Sequence, residues 1–224
     1  MVHRSSGLCY SSRVKRAIIF DFDGTIADSL PAVVQVFEEL TKHPERFSPE
    51  QIDSFRDLSV PELLHALNVP KWKVPRLLIK GRQMIHTHLH DIKVHHGMAD
   101  VLKSLHEQGI PLYILSSNST ENLKDYVRWH KLDKYFTAVY GGASVFGKAP
   151  KLLKLIEEQG IDSTQTWYVG DEMRDVSAAR AIGLHIASVA WGYNTRAALE
   201  RKKPDVIADT APQLLKELEK AWKK

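Results

Sequence analysis

Cysteine and long apolar runs are almost absent from this sequence. Cys9 is the only cysteine among the 224 residues, which excludes an intramolecular disulfide and a thiolate metal cluster and is typical of a reducing cytoplasm. No apolar run approaches the roughly 18 residues that a membrane-spanning helix requires. We therefore expect a cytoplasmic protein without a membrane partner.

Acidic residues are lacking at the N-terminus, where Arg4, Arg13, Lys15 and Arg16 stand. These four positive charges equal the net charge of +4 of the whole chain, so the remaining residues are close to neutral. This charge balance predicts no nucleic-acid partner. The segment also lacks the continuous apolar block of a secretory signal, and we expect residues 1–13 to form a mobile basic tail.

Two carboxylates directly after an apolar segment are the strongest functional signal. Residues 18–20 are apolar and predict a buried strand, which Asp21 and Asp23 follow, and Gly24 then permits a sharp turn. Two acids at one strand end repel each other, which lowers stability unless a cation or a chemical task compensates. The pair therefore predicts a functional site.

The rest of the chain predicts an α/β protein with a helical insertion. Between residues 30 and 95 the apolar spacing is helical, prolines separate the helices, and no strand is evident. Beyond Gly97 short strands alternate with helices, which predicts a Rossmann-like parallel sheet with helices on both faces. We assign residues 14–29 and 96–224 to this α/β core, and residues 30–95 to a small α-helical cap.

The predicted elements of the core alternate regularly. Predicted strands cover residues 111–115, 136–140, 166–169 and 185–189, with a last short strand near Val206. Predicted helices cover residues 98–108, 121–129, 151–159 and 175–182, and a terminal helix begins at Pro212. Because ligands of open α/β sheets bind beyond the carboxyl ends of the strands, residues at those ends are the candidates for a site.

Polar residues stand at these strand ends. Ser116 and Asp171 each follow a predicted strand, and Lys148 opens the helix between them. We expect these three side chains to lie beside Asp21 and Asp23.

These segments resemble the sequence motifs of the haloacid dehalogenase-like superfamily. Residues 21–25 (Asp-Phe-Asp-Gly-Thr) match its first motif and residues 112–116 its second. Residues 146–148 fit the third motif and residues 170–175 the fourth. The helical insertion is similar to the α-helical cap of the phosphoglycolate phosphatase and β-phosphoglucomutase group. The resemblance covers residues 14–222 and implies the Rossmann-like fold of that family.

The resemblance implies a Mg²⁺-dependent phosphatase that hydrolyses a small phosphate monoester through an aspartyl-phosphate. Asp21 would attack phosphorus, and Asp23 would protonate the leaving alkoxide and then deprotonate the hydrolytic water. A hard cation that keeps several waters suits a few carboxylates. The implied metal ligands are Asp21, the main-chain oxygen of Asp23, Asp171 and Asp175. The implied phosphate-binding residues are Ser116, Lys148, Thr25 and Ser117.

Some of these residues have structural alternatives. Asp171 would also suit a helix N-cap, but this leaves Asp175 unexplained, because like charges four residues apart destabilise a helix. A lysine at a helix N-terminus is disfavoured by the dipole, so Lys148 is expected to have an anionic partner. Lys151 is its rival, since residues 148–151 are Lys-Ala-Pro-Lys where the family usually has Lys-Pro-x-Pro.

Simpler roles for Ser116 and Asp21 are disfavoured by their neighbours. Residues 118–121 (Asn-Ser-Thr-Glu) resemble a capping box for the next helix, which leaves Ser116 free to bind phosphate. A calcium loop starting at Asp21 is excluded, because Ile26 stands where that loop needs glycine and Ala32 where it needs an acid.

Three further groups of residues match none of the four motifs. Helical spacing places only two of five clustered histidines on one face, so we expect no zinc site from His86, His88, His90, His95 and His96. We expect Arg56 and Arg82 of the cap at the surface, although a cation there would suit the distal group of a substrate. Residues 191–194 resemble a loop of phosphoglycolate phosphatase-like proteins, which either lines the site or packs at a strand end.

Other functions fit parts of this pattern. A phosphomutase of the β-phosphoglucomutase type also passes through an aspartyl-phosphate, but a second hydroxyl instead of water accepts the phosphoryl group. A pyrophosphatase is a further alternative. A dehalogenase needs neither Asp23 nor a metal, and a phosphoacceptor signalling domain is shorter and has no cap. The expected partner is a small phosphorylated metabolite, and the chain is compatible with a monomer or a homodimer.

Overall fold

A parallel sheet lies at the centre of the described structure, a computed structural model that covers residues 16–41, 46–87, 89–144 and 147–222. The predicted basic tail over residues 1–13 lies outside these ranges. The strands are β1 (Ala17–Phe20), β2 (Leu112–Leu115), β3 (Ala138–Tyr140), β4 (Thr166–Gly170), β5 (His185–Val189) and β6 (Val206–Ala208). Their order across the sheet is β3-β2-β1-β4-β5-β6.

The strand order places β1 beside the point where the chain reverses its direction of travel. β1 pairs with β2 on one side, with Ile18 opposite Leu112, and with β4 on the other side, with Ile18 opposite Trp167. The chain moves outward from β1 to β3, crosses to β4, and then moves outward to β6. Such a reversal creates a crevice at the carboxyl ends of the central strands, where ligands bind in α/β sheets.

Helices cover both faces of the sheet and form the inserted segment. Within the described ranges they are α1 (Leu30–Thr41), α2 (Pro49–Arg56), α3 (Val60–Ala66), α4 (Val74–Thr87), α5 (Met98–Glu107), α6 (Thr120–Trp129), α7 (Ala149–Gln159), α8 (Met173–Ala181), α9 (Arg196–Arg201) and α10 (Ala211–Ala221). Helices α5, α6 and α10 pack on one face of the sheet, and α7 and α8 pack on the other.

The side chains of β1 alternate between two apolar clusters. Ile18 and Phe20 belong to the cluster under α5, α6 and α10, whereas Ala17 and Ile19 belong to the cluster under α7 and α8. All four residues have an exposed fraction of 0%. Parallel sheets require cover on both faces, because crossover helices connect their strands. The predicted α/β class is therefore confirmed.

The cap helices α2 and α3 begin at serine caps. Ser48 Oγ accepts from Gln51 N at 3.3 Å, and Gln51 Oε1 accepts in return from Ser48 N at 2.8 Å. At α3, Glu62 Oε2 accepts from Ser59 N at 2.8 Å. A proline in the first turn of each helix suits this position, where a main-chain N–H has no helical partner. No residue of either helix is fully buried, so local capping is a large part of what holds them.

The two chain segments that join the cap to the core pair with each other. Ala27 and Val94 form an antiparallel bridge, and Asp28 N donates to Lys93 O at 2.9 Å. The chain therefore leaves the core and returns to it at one place, near the boundaries placed at residues 30 and 95. The division into cap and core stays a prediction.

The ends of several helices differ from the prediction because caps decide them. Helix α8 begins at Met173 and not at Asp175, since Glu172 is its N-cap. Helix α7 begins at Ala149, with Pro150 in its first turn. The short helix α9 was not predicted, because six residues are too few to show a helical period. In the described ranges, none of the helices has both the length and the apolarity that a bilayer crossing requires.

Candidate active site

Three buried aspartates meet at the carboxyl ends of β1 and β4. Asp21 follows β1, Asp171 follows β4, and Asp175 lies in the first turn of α8. Their exposed fractions are 2%, 0% and 0%. One carboxylate oxygen of each lies within 4.8 Å of the others. The structure thus brings together the side chains of three predicted metal ligands.

Lys148 places a positive charge inside this cluster. Its Nζ lies 2.5 Å from Asp21 Oδ2 and 2.7 Å from Asp175 Oδ1. Burial disfavours the ammonium, but the carboxylates of Asp175 and Asp21 outweigh burial and raise the pKa of Lys148. The rival Lys151 donates instead to the carbonyl of Gly141. Of the two lysines, Lys148 is the one that lies at the aspartates.

The carboxyl groups of Asp21 and Asp171 have raised pKa values because their charge is buried. Burial raises the pKa of Asp21 to about 7, with Lys148 opposing this shift and Asp175 adding to it. Burial, together with the charge of Glu172, raises the pKa of Asp171 well above its ordinary value. Burial thus favours the protonated forms of Asp21 and Asp171, and a bound cation would oppose this shift.

The donor atoms of this cluster suit a hard divalent cation. Mg²⁺ binds proteins through a few carboxylates and keeps several of its waters. The oxygens of Asp171 each accept one hydrogen bond, which leaves a second lone pair on each for a cation. The side chains of Asp21, Asp171 and Asp175 therefore fit the predicted Mg²⁺ site, and the main-chain oxygen of Asp23 stays a predicted ligand.

Asp23 lies beside the cluster and has a different set of contacts. Ser116 Oγ donates to Asp23 Oδ2 at 3.4 Å and accepts from Asn118 N at 3.0 Å. Asp23 Oδ1 is buried and has no hydrogen-bond partner among the described residues. Burial raises the pKa of Asp23, which favours the protonated form that a general acid needs. Ser116 does not cap the next helix, as expected, and its phosphate-binding role stays a prediction; Ser117 is half-buried beside it.

Asp171 has a fixed orientation because both of its oxygens accept hydrogen bonds. Thr25 Oγ1 donates to Oδ1 at 2.8 Å, and Tyr193 N donates to Oδ2 at 2.6 Å. Thr25 has no exposed surface, so its hydroxyl faces Asp171 and not the crevice. The contact gives Thr25 a role in orienting the Asp171 carboxylate, and the implied phosphate-binding role of Thr25 stays a prediction.

Two glycines leave the space that the Asp171 carboxylate occupies. A Cβ at Gly24 or at Gly192 would overlap this carboxylate. Gly24 also has a φ of +76°, a conformation that residues with a side chain rarely adopt. The glycine of the first motif is therefore required both for the turn and for the aspartate.

Glu172, and not Asp171, caps helix α8. Asp175 Oδ2 accepts from Glu172 N at 3.0 Å at the start of the helix, whereas Asp175 Oδ1 accepts from Lys148. The helix-cap alternative for Asp171 is therefore wrong. At α6 the cap is Ser119, whose hydroxyl accepts from Asn122 N at 3.1 Å.

Sequence reasoning missed the contacts of Arg56. Its guanidinium donates to Gly192 O at 3.2 Å and 3.0 Å and to Ala190 O at 3.3 Å. Its side chain is only 20% exposed, so the expectation of a surface arginine is wrong. Both alternatives for residues 191–194 hold: Tyr193 N contacts the aspartate cluster, and Trp191 packs against the apolar core at the end of β5. The side chain of Arg82 lies outside the described part.

A second arginine was also missed, although it stands inside the fourth motif. Arg174 donates to Glu172 Oε1 at 2.5 Å, and its side chain is 21% exposed. Its charge opposes the rise in the pKa of Asp21, which places it near the nucleophile candidate. Its position between Asp171 and Asp175 was a signal that the sequence offered.

The clustered histidines have aromatic neighbours where the structure describes them. His90 stacks on Trp129 with ring centroids 4.2 Å apart, and His95 stacks on Trp191 at 4.7 Å. The side chains of His86 and His88 lie outside the described part.

The comparison with known families decides the class of this site. Residues 18–189 match the family described as haloacid dehalogenase-like hydrolase, which is more than half of the chain. The chain belongs to this family. The match includes every candidate site residue, from Asp21 to Asp175.

Relatives of this haloacid dehalogenase-like hydrolase cover almost its whole length. The phosphoglycolate phosphatase of Synechococcus elongatus is 35% identical over 205 residues, which are 89% of this chain and 95% of that protein. The phosphoglycolate phosphatase of Aliivibrio fischeri is 29% identical over 216 residues, with shares of 89% and 95%. A haloacid dehalogenase-like hydrolase from Streptococcus pneumoniae has the same fold, with a TM-score of 0.76, 24% identity, and shares of 91% and 98%. The family and its relatives support a phosphatase.

A cavity lies between the inserted helices and residues that follow β4 and β5 of this haloacid dehalogenase-like hydrolase. Its volume is about 190 Å³. Apolar side chains of α1, α2 and α3 form most of its walls, and Arg174, Glu172 and Tyr193 line it from the core. The cavity is therefore lined by apolar side chains from the inserted helices and by charged side chains close to the aspartates.

Proposed function

We propose that this haloacid dehalogenase-like hydrolase is a Mg²⁺-dependent phosphatase that hydrolyses a small phosphate monoester through an aspartyl-phosphate. The ion pair of Asp21 and Lys148, with Asp23 two residues further along, carries this proposal. It combines a nucleophile, a cation for the phosphoryl oxygens and a proton donor, which phosphoryl transfer requires. The names of the relatives make 2-phosphoglycolate the first substrate to test.

Asp21 is the proposed nucleophile. Its Oδ1 accepts from Phe22 N at 2.8 Å, and its Oδ2 is held by Lys148, so the carboxylate has one orientation. An oxygen of Asp21 forms a bond to phosphorus while the bond from phosphorus to the leaving oxygen breaks. Bound Mg²⁺ would supply positive charge that offsets the phosphoryl oxygens. Lys148 would exchange its contact with Asp21 for one of those oxygens, while Asp175 keeps the ammonium in place.

Asp23 is the proposed acid and base. Its raised pKa favours a proton on the carboxyl group, which passes to the leaving alkoxide in the first step. In the second step the Asp23 carboxylate takes a proton from water. The water oxygen attacks phosphorus, the bond between phosphorus and Asp21 breaks, and inorganic phosphate leaves. The hydroxyl of Ser116 holds Asp23 during both transfers.

The cap excludes bulk water from the reacting groups. Asp21, Lys148 and Asp171 have exposed fractions of 2%, 1% and 0%, so the cap must move aside before a substrate can enter. The cavity of about 190 Å³ is smaller than the roughly 300–1,000 Å³ that larger ligands occupy. We therefore propose a small phosphorylated metabolite as the substrate.

A panel of phosphorylated compounds tests this function. Phosphate release is measured with and without Mg²⁺ from 2-phosphoglycolate, p-nitrophenyl phosphate, pyrophosphate and a hexose 1-phosphate. We expect Mg²⁺-dependent release from a monoester, and no release with Asp21→Asn, which keeps the side-chain shape without the nucleophilic carboxylate. Turnover by Asp21→Asn would refute the assignment. Isomerised hexose phosphate would indicate a phosphomutase, and release from pyrophosphate alone a pyrophosphatase.

A further inference from the structure

Residues 190–195 contact the cap and the aspartate cluster at the same time. This segment follows β5 and lies between the C-terminal end of α2 and the N-terminal end of α8. None of its residues belongs to the four motifs that point to the chemistry. Its contacts nevertheless reach the Asp171 carboxylate on one side and cap carbonyls on the other.

Asn194 is the centre of these contacts. Its Nδ2 donates to Arg56 O at 2.7 Å and to Leu58 O at 3.0 Å, both in the cap. Its Oδ1 accepts from Met173 N at 2.8 Å, in the first turn of α8. The two acceptors on the cap side require the nitrogen of the amide there, so its orientation is fixed. At 6% exposure the side chain bridges cap and core inside the protein.

Arg56 binds residues 190–195 from the cap side. Its guanidinium donates to the carbonyls of Ala190 and Gly192, and Asp53 Oδ1 accepts from its Nη1 at 3.0 Å. Each side of the interface thus supplies at least one side chain that binds main-chain carbonyls of the other. Because main-chain groups are the partners, a small displacement of the cap loses several hydrogen bonds together.

The same segment holds Asp171 in place. Tyr193 N donates to Asp171 Oδ2 at 2.6 Å, and Asn194 N donates to Asp171 O at 3.2 Å. Gly192 packs directly against the carboxylate, where a Cβ would overlap it. Movement of residues 192–194 with the cap would therefore change the orientation of Asp171.

We propose that Asn194 is a positioning residue that couples the seating of the cap to the orientation of Asp171. Release of the cap then weakens metal binding as well as substrate binding. Because the two equilibria are linked, metal binding favours contact between cap and core by the same free energy by which that contact favours metal binding. This inference rests on the proposed function, because it takes Asp171 as a ligand of Mg²⁺.

Two variants break the contact from opposite sides. Asn194→Asp keeps the shape and the acceptor for Met173 N, but it removes both donors to the cap carbonyls. Arg56→Ala removes the guanidinium from the cap side. Each change makes the region more negative, which by charge alone would strengthen Mg²⁺ binding. Weaker binding therefore cannot come from the change in charge.

Titration of the whole enzyme with MgCl₂, without substrate, gives the dissociation constant of Mg²⁺. Tryptophan fluorescence follows the binding, since Trp191 lies in residues 190–195. We expect each variant to raise this constant about tenfold, as is typical for residues that orient metal ligands. The double variant should show less than the product of the two effects, because both remove one interface. Turnover should show a raised KM at saturating Mg²⁺. Arg196→Ala is the matched control, since its contacts with Glu200 and Asp209 are exposed and involve no cap residue.

The outcomes separate this inference from the proposed function. Dissociation constants within twofold of the unaltered enzyme, with only a lower melting temperature, would show a purely structural role for Asn194 and overturn the coupling. Unchanged Mg²⁺ binding in Arg56→Ala alone would overturn the coupling as well. Absence of Mg²⁺ binding in the unaltered enzyme would instead overturn the metal site itself, and the coupling with it.

Discussion

Lys148 and Asp21 form an ion pair inside the core, with 2.5 Å between Nζ and Oδ2. Their side chains are 0% and 3% exposed, so water does not screen either charge. Asp175 shares the same ammonium at 2.7 Å. Because the group is buried, removal of Lys148 leaves two carboxylates without solvent and without this counter-ion, which is strongly unfavourable.

Replacement of Lys148 by methionine keeps much of the side-chain volume and removes the charge. We expect the free energy of unfolding to fall by about 3–5 kcal/mol, because two buried carboxylates lose their counter-ion. The turnover number should fall by about 10²–10³, since a cation for the phosphoryl oxygens is lost. Urea unfolding and phosphate release measure the two effects. Lys151→Met is the matched control, because that lysine contacts the Gly141 carbonyl, and wild-type turnover by Lys148→Met would contradict the role.

The pH dependence of Mg²⁺ binding follows from Asp21. Its pKa in the fold is about 7, above its ordinary 3.8. Between these values the folded, metal-free protein holds a proton that the unfolded chain has released, so the free energy of unfolding falls as pH rises, until about pH 7. Mg²⁺ needs the deprotonated carboxylate, so its affinity should rise with pH over the same interval.

Calorimetric titration with MgCl₂ checks this dependence. Repeating the titration in two buffers of different ionisation enthalpy reveals whether protons leave on binding. We expect proton release below about pH 7. A dissociation constant that does not change across this interval, with no proton release, would show that Asp21 is already ionised without the metal.

Substitution of Thr25 tests whether its hydroxyl orients Asp171 or binds the phosphate of the substrate. Thr25→Val keeps the shape but removes the donor to Asp171 Oδ1, a contact of 2.8 Å. We expect Mg²⁺ affinity to fall about tenfold and the free energy of unfolding by about 1–3 kcal/mol, with recovery in Thr25→Ser. The KM at saturating Mg²⁺ should change little. A raised KM with unchanged Mg²⁺ affinity would instead support the phosphate contact that the family resemblance implied.

The sequence predicted what local patterns control, and missed what distant contacts control. The strand before Asp21 and the alternating strands and helices after Gly97 follow from the spacing of apolar side chains, which is a local property. The sheet and the aspartates at its strand ends were therefore predicted correctly. The contact of Arg56 with Gly192 joins residues 136 positions apart. It depends on where the cap settles on the core, and no local pattern carries that information.

Thr25 shows the same limit at shorter range. Its place in the first motif was visible, but the direction of its hydroxyl depends on a partner 146 positions away. Motif spacing therefore indicated which residues belong to the site. It did not indicate which of them contact the substrate and which orient a neighbour.

Asp23 acts in both steps of the proposed reaction, so its removal should have a different effect with each leaving group. Asp23→Asn keeps a hydrogen-bond acceptor for Ser116 but carries no transferable proton. We expect loss of about 10²–10⁴ in rate with an alkyl phosphate, whose leaving oxygen needs protonation. With p-nitrophenyl phosphate the first step needs no proton, so a burst of p-nitrophenolate should precede a stall as aspartyl-phosphate accumulates. Rapid mixing measures the burst, and equal losses for both substrates without a burst would show that Asp23 orients groups and moves no proton.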